Sequence, residues 1–405
     1  MFAKDSMRST YGEGRASIRR GSNEVRFLTW DHHIEGLDRI SDFGPQERND
    51  AKRALLYLQG KLGTDFLERA NAGSACVARH ALLRMLANFA ASSRRSMARF
   101  AEQLRSLEGS QNFGNVLARL HDTKQFDHDA LLIKAACRLV REGLRVRFEP
   151  TMEVKNHQKQ PDLRLESPLT GETAFLEVTT QTTSGAERAI TEVNSAVFAA
   201  VFGRSYDLCV SGRWWRTPEK RELGNILRRI ECGSARVLKE GTMVTIWENG
   251  LVEIALCQKN DQTRFLDPWC AEKGLSVGGF VGPVMQSKDT VRIRRKIRVE
   301  QEQLQHGRPN VLLILATDAF FRAGGVRRVA HEVEEGMLAH EQVSLVILHG
   351  EYVGTEETPF AGQIGEHRYT RKVVDGSAEV DLLLYNAQAP SKLSPALLGN
   401  FLRSF

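Results

Sequence analysis

The chain is poor in the features that would place it outside a reducing compartment or in a bilayer. Its six cysteines (Cys76, Cys137, Cys209, Cys232, Cys257, Cys270) are scattered, with no CxxC or CxxxC among them. That spacing excludes a zinc ribbon and a disulfide-stapled scaffold and fits the cytoplasm. No apolar run reaches the roughly 18 residues of a membrane-spanning helix. The opening MFAKDSMRSTYGEGRASIRRGSNEV holds no continuous apolar stretch, so no secretory signal is expected. GxSxG and HExxH are missing, which removes the commonest serine-hydrolase and zinc-protease signatures. NVLLILATD runs into AFFRAGG without a phosphate-cradling glycine motif, so it reads as ordinary α/β architecture.

What is present is an ordinary globular composition, 41% apolar and 26% charged, over 405 residues. That length predicts several domains, or one enlarged by insertions. The net charge is +6. Nearly all of it lies in residues 1–128, which carry 20 Lys and Arg against 15 Asp and Glu. A basic front half suits a phosphate backbone, and equally a solvated helical surface.

Periodicity divides the chain. Residues 1–44 read as a polar, loosely ordered tail. Residues 45–124 read as a helical domain, because AKRALLYLQGKL, ARHALLRMLANFA and MARFAEQLRSLE repeat apolar residues every three or four positions. From 125 to 350 the texture is α/β. DALLIKAACRLVREG is a helix stopped by Gly143, LRVRFEPTMEV a strand, DLRLE and TAFLEVTT two more, GAERAITEVNSAVFAAVFG a helix and YDLCVSG a strand. Residues 212–287 read as an insertion, with a hairpin turning at Asn249-Gly250. KDTVRIRRKIRVEQEQLQ is an amphipathic helix. Residues 351–405 form an extension whose last strand is VDLLLYN. Runs of strands flanked by helices predict a mixed sheet with helices packed on it.

The chemistry concentrates in PDLRLESPLTGETAFLEVTT, residues 161–180. A fold between Leu169 and Thr170 sets Asp162 opposite Glu177, with Cβ atoms roughly 5 Å apart. Alternation puts Phe175, Glu177, Thr179 and Gln181 on one face and Ala174, Leu176 and Val178 on the other. Two opposed carboxylates repel unless a cation lies between them. Mg²⁺ takes one or two carboxylates and keeps waters for substrate and nucleophile, which points to metal-assisted phosphodiester hydrolysis.

Pro161-Asp162 followed across a turn by Glu177-x-Thr179, behind a helix that ends in glycine, resembles the core motif of the PD-(D/E)XK nuclease superfamily, over roughly residues 125–212. The later KIRVEQEQLQHGRPNVLLI is similar to its downstream helix and strand. The resemblance implies a restriction-endonuclease-like αβββαβ core, Mg²⁺ (or Mn²⁺) as cofactor, and DNA, less readily RNA, as substrate. It implies Asp162, Glu177 and the carbonyl of Val178 as metal ligands, with Asp129 in support. It also implies a homodimer for two-strand cutting. The family's lysine falls at Thr179. Lys155, Lys159 and Lys296 are the alternative candidates to stand in for it, Gln181 is a candidate to hold a water, and the sequence does not choose among them. Arg292, Arg295 and Lys296 make a basic helix face for the nucleic-acid backbone. With Thr179 in the lysine position, the alternative is a silent member of the fold that binds nucleic acid or a protein. Glu149, Glu153 and His128 are expected to be structural or solvent-facing, and Trp214 and Trp215 core or interface residues.

Overall fold

The computed structural model describes residues 28–405 apart from 41–42, 72–79, 88–90, 151, 155–156, 182–184, 203, 206, 276, 284–288, 302–303, 305, 317–329, 332, 336, 338–341, 354–359, 365–366 and 375–376. The chain opens with helices α1 (Trp30–Glu35), α2 (Pro45–Leu62), α3 (Phe66–Asn71), α4 (Ala81–Ala87), α5 (Ala91–Ser106), α6 (Phe113–Arg119) and α7 (Phe126–Arg141). Strands β1 (Arg145–Phe148), β2 (Met152–Val154), β3 (His157–Lys159), β4 (Leu163–Glu166) and β5 (Thr173–Thr180) follow. Next come α8 (Gly185–Phe202), β6 (Leu208–Trp214), α9 (Lys220–Glu240), β7 (Val244–Glu248), β8 (Val252–Gln258), α10 (Asp267–Lys273), β9 (Phe280–Val281) and α11 (Asp289–Glu300). The chain closes with β10 (Asn310–Leu315), β11 (Leu345–Val353), β12 (Phe360–Ile364), β13 (His367–Val374), β14 (Ser377–Tyr385) and α12 (Pro395–Ser404).

Eight strands form a mixed sheet in the order β1-β4-β5-β10-β11-β14-β13-β12. The central three, β5, β10 and β11, run parallel. Strands covered on both faces read as unbroken apolar runs, and β10, NVLLIL, is buried along nearly its whole length. Successive residues of β10 serve opposite faces. Val311 and Leu313 join a core that reaches back through α7 to α2 and α5. Leu312 and Ile314 join a second core with Ile293 and Ile297 of α11. The helical residues 45–124 therefore share one continuous core with the sheet and are not packed as a separate domain. The same core takes in Trp30, Leu37, Ile40 and Phe43, so the expected loose tail is too long by at least the residues from Trp30 onward. Residues 1–27 lie outside the described part.

Helix α7 carries Asp127 and Asp129 in its first turn and Arg138 and Arg141 in its last, the charge order that the helix dipole favours. It ends in a Schellman turn. Gly143 at φ +85° lets Leu144 N–H reach Leu139 O (3.1 Å) and its own N–H reach Val140 O (2.9 Å). A buried ion network fixes the helix across the sheet. Arg138 meets Asp381 (3.0 Å) and Glu379 (2.5 Å), and Lys134 meets Glu379 (2.8 Å). His349 Nδ1 lies 2.5 Å from Asp381. Burial alone raises the Asp381 carboxyl, but His349 and Arg138 outweigh it and hold the group down at about 2.

Three expectations are corrected. LRVRFEPTMEV is not one strand: β1 stops at Phe148, Glu149 turns left-handed at φ +41°, and β2 pairs with β3 in a separate hairpin. YDLCVSG (β6) does not join the main sheet. It lies in a four-stranded sheet, β7-β8-β6-β9, whose core takes Val193, Val197 and Val201 of α8 and Ile226 and Ile230 of α9. The insertion therefore begins at α8 and not near residue 212, and the strand beside β5 is β10. Residues 351–405 are no appendage either, because β12, β13 and β14 complete the main sheet and α12 packs on α7. The hairpin at Asn249-Gly250 stands as expected, with Glu248 paired to Val252 and Gly250 at φ +66°. Trp214 is buried, and Trp215 is 42% exposed. Cys137, Cys209, Cys232, Cys257 and Cys270 are free thiols. Among the described residues no helix is long and apolar enough to cross a membrane.

Candidate active site

The site is built on the turn between β4 and β5. Gly171 takes φ +70°, its N–H donates to Ser167 O (2.8 Å), and Ser167 N–H donates to Glu172 O (2.9 Å). Leu169 at the tip is 95% exposed. The resulting register pairs Leu163 with Leu176 and Arg164 with Phe175. One step further along it, Asp162 stands across from Glu177. Each carboxylate accepts an N–H from the opposite segment: Asp162 Oδ2 from Val178 (2.7 Å) and Glu177 Oε2 from Asp162 (3.4 Å). Alternation also holds. Ala174, Leu176 and Val178 enter the α7-side core, while Glu177 and Thr179 point towards α11.

Helix α11 buries Ile293 and Ile297 against the sheet, and the same stripe carries Lys296 and Glu300 to the strand. Lys296 Nζ lies 3.1 Å from Thr179 Oγ1 and 3.4 Å from Glu300 Oε1, and Thr179 Oγ1 donates to Glu300 Oε1 at 3.1 Å. Burial, with Asp162 and Glu300 nearby, pushes the Glu177 carboxyl up to about 9. The Asp162 N–H and His128 oppose the shift but do not reverse it.

On the other side, His128 Nε2 approaches Asp162 Oδ2 (3.3 Å) and Val178 O (3.1 Å), and its Nδ1 approaches Asp129 Oδ1 (3.2 Å). Burial lowers the imidazolium, but Asp129 and Asp162 outweigh this and raise it to about 10. All three neighbours are acceptors, so a doubly protonated ring satisfies every contact.

Several expected residues find other places. Asp129 is fully buried, and both its oxygens are held by Arg119, Oδ1 from Nη2 (2.8 Å) and Oδ2 from Nε (3.2 Å). It is thus no free metal ligand, because α6 brings a guanidinium fork to the first turn of α7. Lys155 lies outside the described residues. Lys159 ends β3, paired with Met152. Gln181 is buried just past β5, its N–H donating to Leu315 O (2.8 Å). Arg295 is exposed on α11 and Arg292 is half-buried, so both remain on the helix surface, whereas Lys296 turns inward to Thr179. Glu149, expected to be structural or solvent-facing, pairs with Arg119.

Glu300 was not foreseen as a participant, and His128 was expected only as a structural neighbour. Glu300 is signalled only by its spacing of one helical turn from Lys296, a spacing usual on solvated helices as well. His128 is signalled only by its place beside Asp129 at the start of a helix.

The donors that could face an ion are the Asp162 and Glu177 carboxylates and the Val178 carbonyl, and His128 Nε2, now at Asp162 Oδ2 and Val178 O, would have to give way to it. Among the described residues no three His, Cys, Asp or Glu side chains are grouped so as to hold a metal by themselves. A hard oxygen set of this size fits Mg²⁺ or Mn²⁺, which complete their shells with water, better than Zn²⁺. The raised Glu177 carboxyl is in keeping with that fit, since it lies in a buried acidic setting that a cation would relieve. Comparison with family models, with curated proteins and with solved structures finds no match to this chain.

Proposed function

We propose that the chain is a metal-dependent nuclease with a restriction-endonuclease-like core. The order α7-β1-β4-β5-α11-β10 supports this reading, as an αβββαβ unit with the second sheet inserted between β5 and α11. The observation that carries it is the approach of Lys296 Nζ to Thr179 Oγ1 (3.1 Å). It brings an ammonium group to the position where the family's motif has its lysine, two residues beyond Glu177.

Asp162, Glu177 and the Val178 carbonyl would hold the ion. Bound there, Mg²⁺ supplies charge for the phosphoryl oxygens and a water of lowered pKa. Lys296 places its ammonium beside the hydroxyl of Thr179, where it offsets charge gathering on the scissile phosphate. Thr179 orients that ammonium and shares it with Glu300. Arg295 and Arg292 offer a surface to the backbone of DNA or, less favourably, RNA.

A second reading has its own observation. Lys296 is ion-paired with Glu300 (3.4 Å), and a lysine committed to an acid suits a protein that binds nucleic acid without cutting it. Plasmid degradation with Mg²⁺ or Mn²⁺ separates the two readings. The wild type is expected to degrade the plasmid and Asp162→Ala to lose all metal-dependent cleavage. Equal cleavage by both proteins removes the assignment, and salt-dependent binding without cleavage by the wild type selects the second reading.

A further inference from the structure

The geometry points to Arg119 as a positioning residue that fixes Asp162 through a closed ring of contacts, a role that rests on the nuclease reading above. Asp162 lies one residue outside β4, directly after Pro161. The β1–β4 register still reaches its carbonyl through Glu149, and Val178 N–H holds Oδ2 at 2.7 Å, so what a further contact can fix is the side chain. Two arms run from it to one guanidinium. Through its side chain, Asp162 Oδ2 meets His128 Nε2 (3.3 Å), His128 Nδ1 meets Asp129 Oδ1 (3.2 Å), and Asp129 sits in the Arg119 fork at 2.8 and 3.2 Å. Through its backbone, Asp162 O accepts the N–H of Glu149 (2.9 Å), and the Glu149 carboxylate pairs with Arg119 Nη1.

Three features set the ring apart from an incidental surface network. Asp129 is wholly buried, and a buried carboxylate persists as an anion only with such partners. Burial raises its carboxyl, but His128 and Arg119 outweigh that and hold it below its ordinary value. Glu149 adopts φ +41°, a left-handed backbone rare for a residue with a side chain. Its N–H meets Asp162 as the next step of the β1–β4 register, and at this left-handed turn its carboxylate pairs with Arg119. Asn112, the other described non-glycine residue with positive φ, braces the same corner by donating from Nδ2 to Phe148 O (3.0 Å). Strained backbone of this kind persists only where its surroundings over-determine it.

The planar fork explains why arginine stands at 119. Lysine keeps the charge but cannot grip both oxygens of Asp129 while also reaching Glu149. With the fork lost, Asp129 no longer fixes which nitrogen of His128 faces Asp162, and the Val178 N–H (2.7 Å) is left to orient the carboxylate without that brace. Partners one layer behind a metal ligand typically change affinity or activity by about 10–100-fold.

The test compares full-length wild type, Arg119→Lys, Glu149→Gln and Asp162→Ala. Plasmid cleavage gives kcat and KM, and calorimetric titration with Mn²⁺ alone gives metal affinity. Each protein is assayed below the onset of its own melting curve, so that only folded chains are compared. Arg119→Lys is expected to lose about 10–100-fold in kcat and a similar factor in Mn²⁺ affinity, with KM for DNA within about twofold of wild type. Glu149→Gln shifts both quantities in the same direction by less. Folded Arg119→Lys with wild-type kcat and Mn²⁺ affinity overturns the positioning role and leaves the nuclease reading standing. So does a parallel decline of kcat, KM and folded fraction. A wild type that does not cleave, with Mn²⁺ affinity indifferent to Asp162→Ala, overturns the nuclease reading, and this role falls with it.

Discussion

Glu177→Gln is expected to raise the melting temperature of the metal-free protein at pH 8 while abolishing the metal-dependent DNA cleavage proposed for the chain. Glu177 is 9% exposed, and the nearest charges that act on it include two further acids, Asp162 and Glu300. Its carboxyl is accordingly pushed up to about 9 from an ordinary 4.5. A raised carboxyl pKa works against the fold as pH climbs. Below about pH 4 both the folded and unfolded chains carry the proton, and nothing is lost. Between about 4.5 and 9 the unfolded chain releases it and the folded chain does not, so stability drains away across that window. Each pH unit inside that window costs about 1.4 kcal/mol, so the neutral amide should recover on the order of 5 kcal/mol at pH 8. Melting curves in EDTA from pH 4 to 9 provide the check. The gain should vanish at the acid end and widen towards pH 9. Addition of Mg²⁺ should lift the wild type and leave the variant in place. Curves that coincide at every pH would mean that Glu177 is ionised in the folded protein beside a partner that compensates it.

The same residue marks how far the sequence could be read. The pairing of Asp162 with Glu177 follows from local facts, a turn of Ser, Pro, Thr and Gly between two alternating strands, and the observed register agrees with it. Alternation likewise separates Leu176 and Val178 from Glu177 and Thr179. Contacts made over a long separation were legible only as alternatives, with Lys296 one of three lysines offered for the place at Thr179. Lys296 meets Thr179 across more than a hundred residues, because a whole second sheet is inserted between β5 and α11. A basic amphipathic helix with Ile293 and Ile297 on its inner stripe announces that it packs. It does not announce that the lysine and glutamate beside that stripe will be drawn in.

The misplacement of β6 has the same origin. LCVSGRW has the period of a half-buried strand in either sheet, and only the apolar stripes of α8 and α9 settle which one it completes. Buried polar networks are the hardest case. Glu379 and Asp381 alternate with apolar neighbours on β14, as outward-facing residues do, yet they turn to Arg138 and Lys134 beneath α7. Nothing in a single strand distinguishes an acid facing water from an acid facing a buried guanidinium. His128 and Asp129 are a smaller instance of the same ambiguity, since two polar residues in a helix's first turn are what an ordinary cap also looks like.

Lys296→Met is expected to reduce kcat by about 10²–10³-fold, the range seen when one preorganised donor to developing charge is removed, and Thr179→Lys in that background should restore much of the loss. The two positions converge on one place. Lys296 Nζ stands 3.1 Å from Thr179 Oγ1, and Thr179 occupies the same strand face as Glu177. A lysine rooted at residue 179 therefore starts where the helix-borne ammonium now ends. It also restores a partner to Glu300, a buried acid for which Lys296→Met would leave, among the described residues, the Thr179 hydroxyl. The double variant should recover stability together with activity, so the two substitutions should depart strongly from additivity in a double-mutant cycle. Thr179→Lys alone should gain nothing, since two ammonium groups would compete for one site beside a single glutamate. Wild-type cleavage by Lys296→Met would show that the amine serves only its ion pair with Glu300. An inactive single variant that Thr179→Lys fails to rescue would show instead that the reaction needs the ammonium delivered from the helix, at an angle the strand cannot reproduce.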